Sequence, residues 1–303
     1  MEQRRQFANA SNTASLSAVQ EPRTSQSASF PPGAGDTAFI TIDNVVFHVD
    51  RALLRYSSRV FGTIFEREVT NDRHTNPLRI EAEAATFEYI LAFIHPILSS
   101  PSIDDIRILA ALFRLAKRYE MEGVLHQLRR SLVEVRVVED RPVLPWYKRE
   151  PLAALVVAHA FDCITESRLA LRECLKGPLE AHVAGAASFD IPAEVMGTVL
   201  RLRKERLDLL ATKLNPNGGI TNTDRNCFYC AMQQAQWRFN LLQHLQSHLQ
   251  LSKLRDTLPS GHVYCANPHS HLVECQITPE TIDAWSQDHA RQEEGLPLPI
   301  LNP

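Results

Sequence analysis

Phe39-Ile-Thr-Ile-Asp-Asn-Val-Val-Phe-His-Val-Asp-Arg-Ala-Leu-Leu-Arg-Tyr-Ser-Ser-Arg-Val-Phe-Gly-Thr-Ile-Phe65 is the stretch from which the fold can be read. Two short β-branched runs, Phe39 to Ile42 and Val45 to Val49, flank Asp43-Asn44. That dipeptide tolerates positive φ and suits a two-residue hairpin turn. Beyond it the apolar period lengthens: Leu53, Leu54, Val60, Phe61, Ile64 and Phe65 recur at helical spacing. The pattern breaks at Ser57-Ser58, as it would where a cap joins two short helices. A hairpin running straight into paired short helices is therefore predicted.

Working outward, Glu66 to Asn76 is polar and ends at Pro77, which predicts an exposed loop before a third short strand at Leu78-Arg-Ile80. Ala84 to Leu98 carries Phe87, Ile90, Leu91, Ile94 and Ile97 at helical spacing, with Pro96 as a stop. A second helix is predicted over Ile103 to Tyr119, with Asp104-Asp105 in its first turn where the helix dipole favours acid. Met121 to Val133 supplies a last one through Val124, Leu125, Leu128 and Leu132. Upstream, residues 1–36 are rich in Ser, Ala and Gln, with Phe7, Leu16, Val19 and Phe30 as nearly the only large apolar side chains. So little apolar surface cannot offset the entropy of ordering, and a disordered tail is predicted.

The whole chain has 303 residues, 44% of them hydrophobic, enough for one large or two ordinary cores. A net charge of −3 with 22% charged residues provides no general drive toward nucleic acid or an anionic membrane. No apolar run reaches the roughly 18 residues needed to span a bilayer, and the N-terminus lacks the apolar core of a secretory signal. The expectation is a cytoplasmic or nuclear protein with no membrane partner, whose six cysteines are free thiols or metal ligands rather than a disulfide framework.

Strand, strand, paired short helices, strand, helix and closing helical hairpin is the order of a BTB/POZ core, and several strings resemble that family. Phe47-His-Val-Asp-Arg-Ala-Leu-Leu54, with Ser57-Ser58-Arg-Val-Phe61 and Ile64-Phe65, is similar to its first helical hairpin. Phe87-Glu-Tyr-Ile-Leu-Ala-Phe-Ile-His-Pro96 resembles its next helix. Leu112-Phe-Arg-Leu-Ala-Lys-Arg-Tyr-Glu-Met121 resembles the closing Leu-x-x-Ala-x-x-Tyr helix. The fold class this implies is α+β: a small three-stranded sheet flanked by helical hairpins over residues 38–135, then a mainly α-helical C-terminal region. The polar stretch Glu66 to Asn76 and the short gap Ser99 to Ser102 look like BTB proteins abundant in filamentous and mushroom-forming fungi. Asp50 stands where many relatives have His, so that residue's role does not carry over. Ser25 to Asp36 lacks the apolar stripe of the N-terminal element that some relatives exchange between subunits.

The resemblance implies a non-enzymatic protein-interaction module, a scaffold or adaptor. The partners it implies are other proteins at the BTB surface, among them a cullin-type ubiquitin ligase, a transcriptional regulator or a second copy of the chain. No kelch, MATH or DNA-binding repeat follows the core. Glu139 to Pro151, punctuated by Pro142, Pro145 and Pro151, reads as a hinge. A helical extension is predicted over residues 146–215: helices at Leu152 to Phe161 and Ser167 to Leu175, a Gly177-Pro178 stop, and a long helix from Ile191-Pro192 to Leu214. The long helix carries the stripe Val195, Val199, Leu202, Leu207, Leu210 and Leu214. Cys163 and Cys174 read as small core hydrophobes.

A Cys/His-containing helical region over residues 220–290 holds the one constellation able to carry chemistry. Cys227-Phe-Tyr-Cys230 can present two thiolates to one zinc ion from a tight turn, and Cys265 with Cys275 can complete a tetrahedron, with His262, His269 and His271 as alternative ligands. Nine residues separate Cys265 from Cys275, wider than a standard ribbon or finger. Structural zinc, ordinary cysteines and a redox pair all stand as readings, and zinc is the only cofactor suggested. The zinc or thiol module, with a nucleic-acid or redox role, is the alternative function, although only five basic residues follow Thr221. His244 and His248 at i, i+4 read as a solvated face. No phosphate loop, Gly-x-Ser-x-Gly elbow or His-Glu-x-x-His helix is present, so no catalytic residue is assigned. Residues 291–303 read as an extended tail.

Overall fold

The computed structural model describes residues 24–69, 77–98, 101–138 and 141–213, with Phe239, Gln243 and Gln287 as isolated helical residues. The opening hairpin pairs Thr37–Ile40 with Val45–Val49 in antiparallel register, Phe39 opposite Phe47. Its loop is longer than the two residues expected. Asn44 N–H donates to Thr41 O at 3.0 Å and Thr41 N–H to Val45 O at 3.1 Å, with Asn44 alone at positive φ, 60°. This is a three-residue connection, a tight turn followed by one left-handed residue. Asp43 also reaches beyond its own turn. Its carboxylate accepts from Thr41 Oγ1 at 2.5 Å and from Ala84 N–H at 3.0 Å, serving the start of a helix 41 residues on.

Leu78–Arg79 adds the third strand, parallel to Thr37–Ile40. A fourth, Ser25–Gln26, pairs parallel to Val45–Val49 at the opposite edge. In chain order the strands are β1 (Ser25–Gln26), β2 (Thr37–Ile40), β3 (Val45–Val49) and β4 (Leu78–Arg79), arranged β1-β3-β2-β4. Residues 24–36, read from the sequence as tail, are thus part of the domain, while 1–23 lie outside the described residues. Composition averaged over the segment hides its anchors. Phe30 is 5% exposed, and a Cβ on Gly35 would run into the backbone of Val49 and Asp50.

Helix α1 (Arg51–Ser57) starts at Asp50, whose carboxylate accepts Ala52 N–H at 2.8 Å, so the residue that departs from the family pattern is a helix cap. Ser58 is extended and separates α1 from α2 (Arg59–Val69), as its place in the sequence predicts. Then follow α3 (Ala84–Ile94), α4 (Ile106–Arg118) and α5 (Glu122–Val133). Asp105 lies just before α4 rather than in its first turn and caps it, accepting Arg107 N–H at 2.8 Å. Phe39, Phe47, Phe61, Phe65, Phe87 and Phe113 are fully buried among Leu54, Ile90, Leu109 and Leu112.

The proline-rich connection, read from the sequence as a hinge, carries regular elements at its described residues. It forms a ribbon of β5 (Arg136–Val138) and β6 (Arg141–Val143), then α6 (Trp146–Arg149). Each proline suits its place: Pro142 lies in a two-stranded ribbon, Pro145 precedes α6, and Pro151 opens α7 (Pro151–Ala160). Trp146 is 2% exposed, in the same core as Phe39. Every residue from Pro151 to His159 is buried, so α7 is enclosed on all sides and the core continues without a break from the sheet into the extension.

The extension is completed by α8 (Ile164–Cys174), α9 (Leu179–Gly185) and α10 (Ala193–Lys213). Val195 and Val199 of the predicted stripe are buried, but the next buried position is Arg203, 6% exposed. Its guanidinium donates to the carbonyls of Cys174 at 2.9 Å and Gly177 at 3.0 Å, Arg206 donates to that of Leu175 at 3.2 Å, and His182 Nε2 to that of Lys176 at 2.5 Å. The carbonyls at the end of α8 and in the turn just beyond it are thus satisfied by side chains of α9 and α10. Burial pulls the Arg203 pKa down from the usual arginine value.

Candidate protein-interaction surface

Three chain reversals meet on one side of the domain. The first is the break between α1 and α2 at Ser58, whose Oγ accepts Phe61 N–H at 3.1 Å and donates to the Tyr119 carbonyl. The second is the C-terminal end of α3. The third is the turn from α4 into α5, where Glu120 N–H donates to Lys117 O at 3.2 Å and Met121 N–H to Ala116 O at 2.9 Å. That pair of bonds is a Schellman cap, and it places Glu120 in the left-handed region at φ 48°. The Tyr119 ring stacks on Phe61 at 4.7 Å and 8°, so the first and third reversals are locked by one hydroxyl and one ring pair. Burial raises the Tyr119 pKa above the ordinary phenol value.

Between the reversals lies an open groove of about 480 Å³. Phe93, Ile94 and Val124 form its apolar floor, Arg55, Tyr56 and Arg59 line one wall, and Glu120, Glu122 and Gln127 the other. A Cβ on Gly123 would meet nothing within 4 Å, so the α5 side is open. Tyr56 is 95% exposed, an aromatic ring held almost wholly in solvent. Arg55 pairs with Glu66 at 3.0 Å, with both side chains more than half exposed, so the pair contributes little to stability. The groove thus sets an apolar floor between walls of opposite charge on a backbone held by buried contacts. A second cavity, between Ser131 and Trp146, measures about 10 Å³, the size of a single water.

Residues 35–135 match the family model of the BTB/POZ domain. This segment is a BTB/POZ domain. The match covers about a third of the chain. No curated protein matches the chain. A BTB/POZ domain is a module for protein–protein interaction and oligomerisation, typically without enzymatic activity, and the groove lies wholly within its matched residues. The α+β architecture read from the sequence, a small sheet flanked by helices with further helices after it, is the one observed.

The metal-ligand candidates Cys227, Cys230, Cys265, Cys275, His262, His269 and His271 lie outside the described residues, as do His244 and His248. Among the described residues no group of three or more His, Cys, Asp or Glu side chains could hold a metal ion, and no helix is long and apolar enough to cross a membrane. Cys163 and Cys174 are buried as expected, and burial pushes their thiols up to about 11 and about 12, so neither is a nucleophile at neutral pH. Sequence patterning alone passes over Tyr56, Arg59, Glu120 and Glu122. The available signal was Tyr56, an aromatic standing off the apolar stripe of its own helix.

Proposed function

We propose that the chain is a non-enzymatic adaptor or scaffold whose BTB/POZ groove receives an amphipathic helix of a partner protein. The observation that carries this reading is the exposed Tyr56 ring beside the apolar floor of Phe93, Ile94 and Val124. Large, rigid aromatics in such settings contribute most of the binding energy of interfaces. A cullin-type ubiquitin ligase is the first partner to test, followed by a transcriptional regulator and a second copy of the chain. The proposed compartment is cytoplasm or nucleus.

The test is affinity purification with the full chain as bait, analysed by mass spectrometry and repeated with Tyr56→Ala and Glu122→Arg. Recovery of a cullin that both substitutions abolish supports the ligase reading. Absence of every cullin at high bait concentration removes it, and partners held equally well by Tyr56→Ala remove the groove.

The Cys-x-x-Cys spacing of Cys227 and Cys230 supports a second reading, a structural zinc or thiol module in the C-terminal region with a nucleic-acid or redox role. Zinc analysis of the purified full chain decides it. About one equivalent that falls on replacing Cys227 and Cys230 by Ser supports the site; less than about half an equivalent, unchanged by the replacement, rejects it.

A further inference from the structure

Residues 24–36 run as a strap along the outer edge of β3, and a few contacts hold it. Ser25 N–H donates to Asn44 O at 3.0 Å, Ser27 N–H to Val46 O at 2.8 Å, and His48 N–H to Phe30 O at 3.0 Å. The Phe30 ring fills a seat against Phe47, with centroids 6.1 Å apart, and meets the edge of His95 at 6.3 Å. Asp36 Oδ1 accepts Arg51 N–H at 2.7 Å where the strap joins the domain. Between strand and plug, the exposed Ser29 hydroxyl donates to the Glu88 carboxylate on α3.

We infer that Ser29 is a phosphorylation site whose modification releases the strap. In the step, the Ser29 Oγ–P bond forms and the bond from the γ-phosphorus of a nucleoside triphosphate to its leaving diphosphate breaks. The hydroxyl proton passes to the base of the protein kinase. The product has lost the donor that Glu88 accepts and gained up to two negative charges beside a carboxylate, so a tie becomes a repulsion at the residue next to the plug. Other exposed hydroxyls of the strap, at Thr24 and Ser25, have no acid partner among the described contacts, which singles out Ser29. Release lifts Phe30 from its seat and uncovers the carbonyls of Asn44 and Val46 and the amide of His48. This device shares no residue with the lining of the groove, although His95 of its seat follows directly on Ile94, and its test does not require the groove to bind a partner.

The experiment installs phosphoserine at position 29 of the full chain by genetic encoding and follows amide hydrogen exchange. Exchange at Ser25, Ser27 and His48 is expected to quicken by about tenfold, with amides of α4 and α7 unchanged. Ser29→Ala, which removes the tie without adding charge, should change it much less, and Glu88→Gln in the phosphorylated chain should restore most of the protection. Unchanged exchange overturns the inference. So does slower exchange, which would mean that the phosphate is captured by a neighbour such as His95, or a gain that Glu88→Gln does not reverse. Absence of phosphate on Ser29 in chain isolated from its own cells also overturns it.

Discussion

Helices α4 and α7 end in the same turn and lead to opposite outcomes. In each, an aromatic is followed by an acid in the left-handed region and then by a buried sulfur residue: Tyr119-Glu120-Met121, and Phe161-Asp162-Cys163 with Asp162 at φ 57°. The second turn repeats the Schellman bonds, Asp162 N–H to His159 O at 3.3 Å and Cys163 N–H to Ala158 O at 2.8 Å. Around the first turn the acid is left at the rim of a groove. Around the second the acid pairs with Lys117 of α4 at 2.9 Å, and the Phe161 ring stacks on Phe113 at 5.0 Å and 14°. Arg129 of α5 completes the join by holding Glu166 of α8 through two bonds, 2.9 and 3.0 Å. Identical backbone chemistry therefore builds an open surface in one place and a sealed joint in the other, and the difference lies in what the rest of the chain packs against it.

The comparison breaks most readily at the joint. Trp146→Ala should cost about 3–5 kcal/mol, as truncation of a large core aromatic does. Because the core is continuous, calorimetry should show the loss in a single transition carrying sheet and extension down together; two separated transitions would return the connection to a hinge. Arg203→Lys should cost about 2 kcal/mol in urea denaturation, since an ammonium cannot reproduce a planar fork that reaches the carbonyls of both Cys174 and Gly177. Full stability in the lysine variant would show that charge alone suffices there.

A pH titration separates the sheet side from the joint. Burial pushes the Asp43 carboxyl up, but the hydrogen bonds from Thr41 and Ala84 outweigh it and hold the group below its ordinary value. Its folded value is therefore below its unfolded one. The stability it contributes is present above about pH 4 and is lost as pH falls through the lower folded value. Asp43→Asn should cost about 1 kcal/mol at neutral pH, the usual worth of a helix cap, and less near pH 2. A cost independent of pH would place the effect outside the carboxylate. The smallest contrast is between the two turns themselves. Glu120→Gly should stabilise by about 0.5–1 kcal/mol through relief of the left-handed conformation. Asp162→Gly should gain somewhat less, because the same relief is partly offset by the lost, half-exposed pair with Lys117. Equal gains at both would mean that the Lys117 pair contributes nothing.

Much of this was legible in the chain because it is local. The two hairpin runs, the break at Ser58, the apolar stripes through Phe87, Leu112 and Leu128 and the Gly177-Pro178 stop each depend on neighbours within a few residues. Strand and helix periodicity expose such features directly. The loop at Asp43-Asn44 was harder, since the Asp43 side chain bonds to Ala84, far along the chain, as well as to its own turn. The tail assignment missed Phe30 for a related reason: one aromatic in a polar segment carries no period, and its seat is built by Phe47 and His95.

What the sequence by itself determined is the order and kind of the elements from the opening hairpin to Val133, the identity of most core side chains there, and hence the BTB/POZ domain. Only the tertiary structure decided that α7 is enclosed on every side, that the prolines lie within a ribbon and at helix starts in a continuous core, and that Tyr56, Phe93 and Glu122 share one groove. Those three residues belong to separate helices and acquire a common surface only when Ser58 and Tyr119 lock two reversals together. Periodicity assigns a residue to a face of its own element, whereas a binding surface is a property of several elements at once.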